Sequence, residues 1–427
     1  DSGATLAGFC LPPKARILDV VSAPQGVGVS GGPSPVSSES NGLGFAKAGL
    51  PWSPQEFFEA AKCIKRHPYD ECDDIGDDIK IAVSSIVSLG PKGTEGYRLE
   101  ELKRWERLRD SLADKERDLH AGLQEGPSLV LKNTNLLLFQ CLLREIDYPD
   151  TELINDLVTG FPIVGNIPKS NCFKSQQPSP SLTVDDLLKE AKSRRASLLS
   201  SLRPGDPVFD QAILDGTRKE FKKGTMRGPY TEQEALKKFG PLFLPARRFC
   251  IQQGFEESLN SEGVAVEVPK FRLIDDFSES GHNSAAVISE TIPVDGTDSV
   301  VGLIRCWSNF FRHPRSEFLK DGTPLSTAPH PSWNSQTSSL VGCLQDMKAA
   351  YRQVPRRESQ SHFFLIAYWD IEVGGPRIAE HFGQPFGASA AVNNFNRLAR
   401  AIRAVLVWLL LFPFTQYYDD YTVIEPG

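Results

Sequence analysis

The chain has no C-x-x-C pair. Its eight cysteines, Cys10, Cys63, Cys72, Cys141, Cys172, Cys250, Cys306 and Cys343, stand apart. That excludes a zinc finger or knuckle, and scattered single thiols suit a reducing, intracellular compartment, cytoplasm or nucleus. Positive charge is also lacking: the formal net charge is -7 and the pI about 5.7. No global attraction to nucleic acid follows, so any such binding must come from local basic patches. The longest apolar run, Ala404–Phe412, is too short to span a bilayer and is followed by Pro413. It reads as a buried helix end, and no membrane contact is expected. Residues 1–20 lack a basic region leading into an apolar core, so no signal peptide is recognised. Gly90-Pro91-Lys92-Gly93-Thr94 has the wrong order for a phosphate-binding loop. The acids Asp70, Glu71, Asp73, Asp74, Asp77 and Asp78 lack calcium-loop spacing and read as a solvated face.

What is present is a globular composition, 40% hydrophobic and 24% charged, over 427 residues, enough for two or three domains. Residues 22–44, rich in Ser, Gly and Pro, read as a linker, and 1–50 as linker or disordered chain. Residues 51–205 read as a mainly helical region of open role. Periodicity predicts helix over part of 52–89, a long charged helix over 98–124 and an apolar helix over 128–147. A second linker is expected around Ser170–Ser181. Thr183 can cap a helix running to about Leu202. Thr231-x-x-Glu234 is a capping box opening a helix that ends near Gly240. Beyond about 240, strand-like runs at 264–277, 341–346, 361–371, 377–382 and 414–425 mix with helical runs at 347–352 and 388–412. An α+β domain follows. Residues 321–340 read as an inserted surface loop. The start at Asp1 and the end at Gly427, shortly after Asp420, look like the edges of a fragment.

Four segments carry chemistry. Phe414-Thr415-Gln416-Tyr417-Tyr418-Asp419-Asp420-Tyr421-Thr422-Val423-Ile424 reads as a hairpin whose tight turn presents two carboxylates. Adjacent carboxylates repel unless solvated or neutralised, and a hard cation such as Mg2+ would neutralise them. Val341-Gly342-Cys343-Leu344-Gln345-Asp346 is a strand ending on an acid, followed by Met347-Lys348-Ala349-Ala350-Tyr351-Arg352-Gln353-Val354-Pro355. Gln384-Pro385-Phe386-Gly387 is a turn into the Ala-rich helix through Asn393, Phe395 and Arg397. Lys270-Phe271-Arg272-Leu273-Ile274-Asp275-Asp276 reads as a strand with Lys270 and Arg272 on one face. Arg218, Lys219, Lys222, Lys223, Arg227, Arg247 and Arg248 form a basic patch upstream. Singly, each has a bland reading: an acidic turn, a helix cap, a tight turn, an edge strand, a solvated face.

In this order and spacing, the segments from Lys270 onward resemble the fingers and palm of a reverse transcriptase. This is an RNA-directed DNA polymerase, a nucleotidyltransferase, of the retrotransposon Pol kind, LTR- or DIRS-like. Tyr417-Tyr418-Asp419-Asp420 resembles its Tyr-x-Asp-Asp motif, and Asp346 through Pro355 its Asp-x-Lys-x-Ala-Tyr-x-Gln-x-Pro motif. The resemblance covers roughly 240–427 and implies fingers and palm over 206–427, with an antiparallel palm sheet. It implies two Mg2+ ions, or Mn2+, held by Asp346, Asp419, Asp420 and the Met347 carbonyl. Lys270 and Arg272 would bind the triphosphate. Tyr351 would exclude a ribose 2′-hydroxyl, Phe386 and Gly387 would line the nucleotide pocket, and Tyr417 would lie at the primer end. The implied partners are a primed RNA or DNA template and dNTPs. The thumb and primer grip would lie beyond Gly427. The alternative is an inactive retroelement remnant, or a repurposed nucleic-acid-binding protein on the same fold. Tyr351 and the Tyr417-Tyr418 pair argue against a viral RNA-dependent RNA polymerase. A purely helical scaffold would leave the ordered motifs unexplained.

Overall fold

The computed structural model describes residues 17–21, 45–49, 53–62 and 75–427, less 179, 260–262, 313–316, 326 and 334–338. The stretch 22–44, most of 1–50, and the acids at 70–74 lie outside these residues. The chain divides into two compact units, Asp1–Cys72 and Asp73–Gly427. In the first unit, β1 (Ile17–Val21) pairs antiparallel with β2 (Phe45–Gly49), and α1 spans Pro54–Lys62.

The second unit mixes helices and sheets. It opens with α2 (Asp77–Ala121), α3 (Glu125–Leu131), α4 (Leu136–Glu145) and α5 (Leu153–Thr159). Short strands β3 (Gly165–Asn166) and β4 (Lys174–Ser175) follow, then α6 (Val184–Ser201) and α7 (Pro207–Lys223). Next come β5 (Met226–Tyr230), α8 (Glu232–Phe239), β6 (Pro245–Leu259) and β7 (Ala265–Asp276). Then follow β8 (Ala286–Val287), β9 (Glu290–Thr291), α9 (Thr297–Arg312), β10 (Glu317–Phe318) and β11 (Pro324–Leu325). The last elements are β12 (Leu340–Asp346), β13 (Leu365–Asp370), β14 (Gly375–His381), α10 (Ser389–Leu410), β15 (Phe414–Tyr417) and β16 (Asp420–Pro426). Two larger sheets result. One is mixed, in the order β5-β14-β13-β6-β7, with β13 parallel to β6. The other is antiparallel, in the order β12-β16-β15. Among the described residues, no helix is long and apolar enough to cross a membrane.

Local chemistry explains several element ends. Thr183 Oγ1 accepts from the Asp186 N–H at 3.1 Å, and the Thr231–Glu234 capping box is complete. The apolar helix expected at 128–147 is two helices, α3 and α4. Glu116 of α2 caps the second by accepting from the Leu136 and Leu137 N–H groups at 2.7 and 2.8 Å. The two helical stretches expected on either side of Gly90-Pro91 are the two segments of α2, broken at Gly90, which takes the non-helical φ 72° and ψ 172°. Pro91 lacks the N–H that would bond the Val87 carbonyl. The inserted loop supplies it instead: the His330 N–H and Trp333 Nε1 both donate to Val87 O, at 2.9 and 3.0 Å. The second expected linker is tied down as well. Buried Glu290 accepts from the Ser170 and Asn171 N–H groups, and β4 pairs with β9.

Helix α10 is the spine. Small Ala390, Ala391, Ala399 and Ala401 allow close approach along it, and nearly its whole length is buried. On one side, α3, α4 and α5 share a core with Phe395, Leu398 and Val405 of α10, with Ala350 and Val354, and with Tyr421 of β16. On another, the first half of α2 and α9 pack against Val407, Leu411 and Ile424. The N-terminal helices thus form the packing bed of the three-stranded sheet. Arg397 pins this joint: it donates to both Asp150 oxygens at 2.8 Å and to Asp156 at 2.7 Å, fully buried.

Removing one partner of a buried pair leaves uncompensated charge. Arg397→Met is therefore expected to lower unfolding free energy by about 3–5 kcal/mol in urea melts. A loss under about 1 kcal/mol, the scale of an exposed pair, would show that this joint carries little load.

Candidate active site

The site begins with a strand register. In β12, Asp346 is the Cα partner of Asp420, and across the hairpin Asp420 is the partner of Tyr417. Directly opposed residues share a face of the sheet, with Cα atoms about 4.5–5.5 Å apart. The Met347 N–H donates to the Asp419 carbonyl at 2.9 Å, closing the end of the sheet over the turn. Asp346, Asp419 and Asp420 therefore meet at one end of the three strands. Asp346 is exposed, and the other two are half-buried.

The turn is strained. Tyr418 takes φ 52°, a region that costs an aromatic L-residue energy and persists only where surroundings enforce it. The brace is Gln416, which is buried. Its Nε2 donates to Tyr418 O at 2.8 Å, while its own N–H donates to Asp295 Oδ2 at 2.8 Å. Arg400 holds Asp295 in turn, at 3.3 Å. The strain aims the two turn residues, Tyr418 and Asp419, off the strand line.

Burial raises the Asp419 carboxyl above its ordinary value, and the neighbouring Asp420 and Asp346 charges raise it further; Arg272 opposes them. Burial also pushes the Tyr351 hydroxyl up to about 12, with help from Asp419 and Tyr418. Tyr351 and Arg272 therefore lie within electrostatic reach of Asp419. Among the described residues, no three His, Cys, Asp or Glu side chains are already gathered to hold a metal ion. The fit to a cation is one of backbone position and donor type. Three carboxylate-bearing positions sit at one sheet end, and their side chains repel one another. A hard divalent cation prefers such oxygens and would draw them together.

The Pro-Phe-Gly turn closes one side. Gly387 has φ 94°, and a Cβ there would stand 2.0 Å from the Asp275 carbonyl, so only glycine lets the turn pack on β7. Asn283 grips both ends of it: its Nδ2 donates to Gly387 O at 3.0 Å, and its Oδ1 accepts from the Ser389 N–H at 2.8 Å. Phe386 meets Tyr351 edge-on at 4.8 Å, and Phe395 of α10 supports Tyr351 from behind at 5.0 Å.

Strands β6 and β7 form the ribbon above. The register slips between Gln252 and Phe255, opposite Lys270, with Gly254 at φ 100°. Such bulges turn a strand and re-aim its side chains. Arg272 donates to Gln253 of the bulge at 3.4 Å and reaches the site. Lys270, two residues farther out, is exposed, and among the described residues it is not drawn into the contacts of the site. Tyr417 is exposed at 53% on the face of the acids, its ring edge-on to Tyr418.

The expected basic patch is largely engaged in ion pairs. Arg218 pairs with Glu372, Arg227 with Glu125, and Arg247 with Glu279. Arg248 is buried, with both nitrogen edges on Asp275 and Glu220. These pairings reduce its use as a nucleic-acid surface. Sequence reading missed Glu220, Asp275, His381 and the part played by Arg352. Their only signal was charge at positions that strand and helix alternation turn inward. No known family model matches the chain, and no curated protein does either.

Because the folded state raises the Asp419 pKa, the ionised form is disfavoured, and stability is lost as pH rises through that folded value. Added Mg2+ at neutral pH should offset the loss and raise the melting temperature by about 1–3 °C. Asp419→Asn should raise it without Mg2+ and abolish the shift. A melting curve indifferent to Mg2+, Mn2+ and this substitution would remove the cation site.

Proposed function

We propose that the chain is the fingers and palm of an RNA-directed DNA polymerase, adding deoxynucleotides to a primer 3′-hydroxyl. The observation that carries this reading is the β12–β16 register, which sets Asp346 beside Asp420 although β13, β14, α10 and β15 intervene in sequence. Three further features support it: the strained Tyr418 turn, Tyr351 near Asp419 with Phe386 packed on its ring, and Arg272 reaching in from the ribbon.

In this reading Asp346, Asp419 and Asp420 would hold two Mg2+ ions, and the Met347 carbonyl would add a further oxygen. When bound, the ions lower the pKa of the attacking hydroxyl and neutralise charge on the phosphates in the transition state. The protein's own residues orient the reactants. Arg272 binds the anionic triphosphate, and Lys270 joins it when the ribbon closes over substrate. The Tyr351 ring bounds the sugar site where a 2′-hydroxyl would project. Its raised pKa keeps it neutral, so it works by shape and not as a base. Gly387 seats the Pro-Phe-Gly turn on β7, and Phe386 walls the nucleotide pocket beside it. Tyr417, exposed on the acid face, is placed to pack on the primer terminus.

Single-nucleotide addition on a primed RNA template, with Mg2+ and dNTPs, tests this. Asp346→Asn and Asp419→Asn should each slow it by at least about 100-fold, since several kcal/mol of charge stabilisation are lost. Tyr351→Ala should admit ribonucleotides. Absence of extension alongside retained primer–template binding would instead leave a nucleic-acid-binding protein on this scaffold. Extension unaffected by Asp419→Asn would refute the site.

A further inference from the structure

Behind the nucleotide side of the site lies a cavity of about 190 Å3, lined by Glu220, Arg248, Arg272, Asp275, Arg352 and Phe386. Its wall is an ion-pair network joining four parts of the chain. Arg248 of β6 donates through Nε and Nη2 to both Asp275 oxygens, at 2.7 and 3.0 Å, and through Nη1 to Glu220 Oε2 at 2.7 Å. Glu220 Oε1 accepts from Arg352 Nε and Nη2 at 3.0 and 2.7 Å. Arg352 Nη1 donates to the Gln384 carbonyl at 3.1 Å, at the start of the Pro-Phe-Gly turn. The Arg352 guanidinium also lies 5.5 Å from the centroid of the Phe386 ring, which meets Tyr351 edge-on at 4.8 Å. One line of contacts therefore runs from Glu220 on α7 through Arg352 and Phe386 to Tyr351.

Glu220 touches none of the acids. Burial would raise its pKa, but the Arg352 and Arg248 guanidiniums hold it down at about 2, so it stays ionised and is no proton donor. The two arginines do not depend on it equally. Without Glu220, Arg248 keeps both Asp275 oxygens. Arg352 keeps the Gln384 carbonyl and a distant Asp275 oxygen at 3.8 Å. His381 Nε2 occupies that same Asp275 oxygen at 3.1 Å, and an imidazole supplies no negative charge to replace the Glu220 carboxylate. Burial and the Arg352 charge lower the His381 pKa to about 4, so His381 adds no positive charge beside Arg352 either. Loss of Glu220 therefore falls on Arg352, and through it on Phe386 and Tyr351.

We infer that Glu220 is a positioning residue: it holds Arg352 against Phe386, and so fixes Tyr351 where it discriminates deoxyribonucleotides from ribonucleotides. This rests on the polymerase reading above. Glu220→Gln keeps the volume and removes the charge. Phe386→Leu cuts the same line farther along and leaves the ion pairs intact. The measurement is single-nucleotide incorporation of dNTP and rNTP on a primed template by the full chain. Glu220→Gln should raise the dNTP KM and lower dNTP-over-rNTP selectivity, each by about 3- to 30-fold, the range one desolvated cation–π contact commands. The kcat should stay within about twofold, since the interaction is not made to the reacting atoms. Glu220→Asp should recover part of the loss. Phe386→Leu should reproduce it, and the double variant should add little, because both act on one line. A fall in kcat with unchanged selectivity, or additive losses, would overturn the positioning role while leaving the polymerase reading standing. Absence of wild-type extension would overturn both. If Glu220→Gln fails to fold, intact selectivity in Phe386→Leu alone would overturn the inference.

Discussion

Pairing between Leu340–Asp346 and Asp420–Pro426 is the constraint from which the rest follows. It joins two strands far apart in sequence and ends on two carboxylates facing one another, with a third in the adjoining turn. Such an arrangement is unfavourable in itself: burial raises the Asp419 pKa, and the Asp420 and Asp346 charges raise it further. It persists because apolar burial elsewhere over-determines the register: Tyr421 and Ile424 of β16 are anchored in two separate cores, one built by α3, α4 and α5, the other by α2 and α9. A one-residue slip would turn each anchor to the opposite face of the sheet, away from its own core.

The N-terminal helices acquire a role from this. They are not an appendage to the sheets but the bed on which α10 and β16 lie. Arg397 ties α10 to Asp150 and Asp156 where those two layers meet. A polar spine inside an apolar core is costly to break, so the joint is rigid. Rigidity is what a turn with an aromatic residue at φ 52° requires.

Much of the candidate site was legible as segments. The capping residues Thr183 and Thr231, the strands bearing Asp346 and Asp419–Asp420, and the Ala-rich helix all stand where local rules put them, because caps and periodicity act over a few residues. Other features were not legible. The break at Gly90-Pro91 follows from those two residues, but nothing local tells that His330 and Trp333 satisfy the Val87 carbonyl beside it. Arg248 looked like part of a solvated patch, since the partner that buries it, Asp275, lies across a ribbon. Strand β6 and helix α9 were passed over because charge and polar residues interrupt their patterns.

The sequence by itself determined the chemical inventory: paired acids after two tyrosines, an acid ending an apolar strand, a Pro-Phe-Gly turn, and cations on one face of a strand. Local spacing also set which helices start where. Only the tertiary structure decided which of these meet. It brought Asp346 to Asp420 and set Gly387 against the Asp275 carbonyl. It drew Arg272 toward the acids, left Lys270 outside, and set Glu220 between two arginines. The physical reason is range. Caps, turns and periodicity are interactions of neighbours in the chain, whereas register, burial and ion pairing depend on which distant surfaces exclude water together.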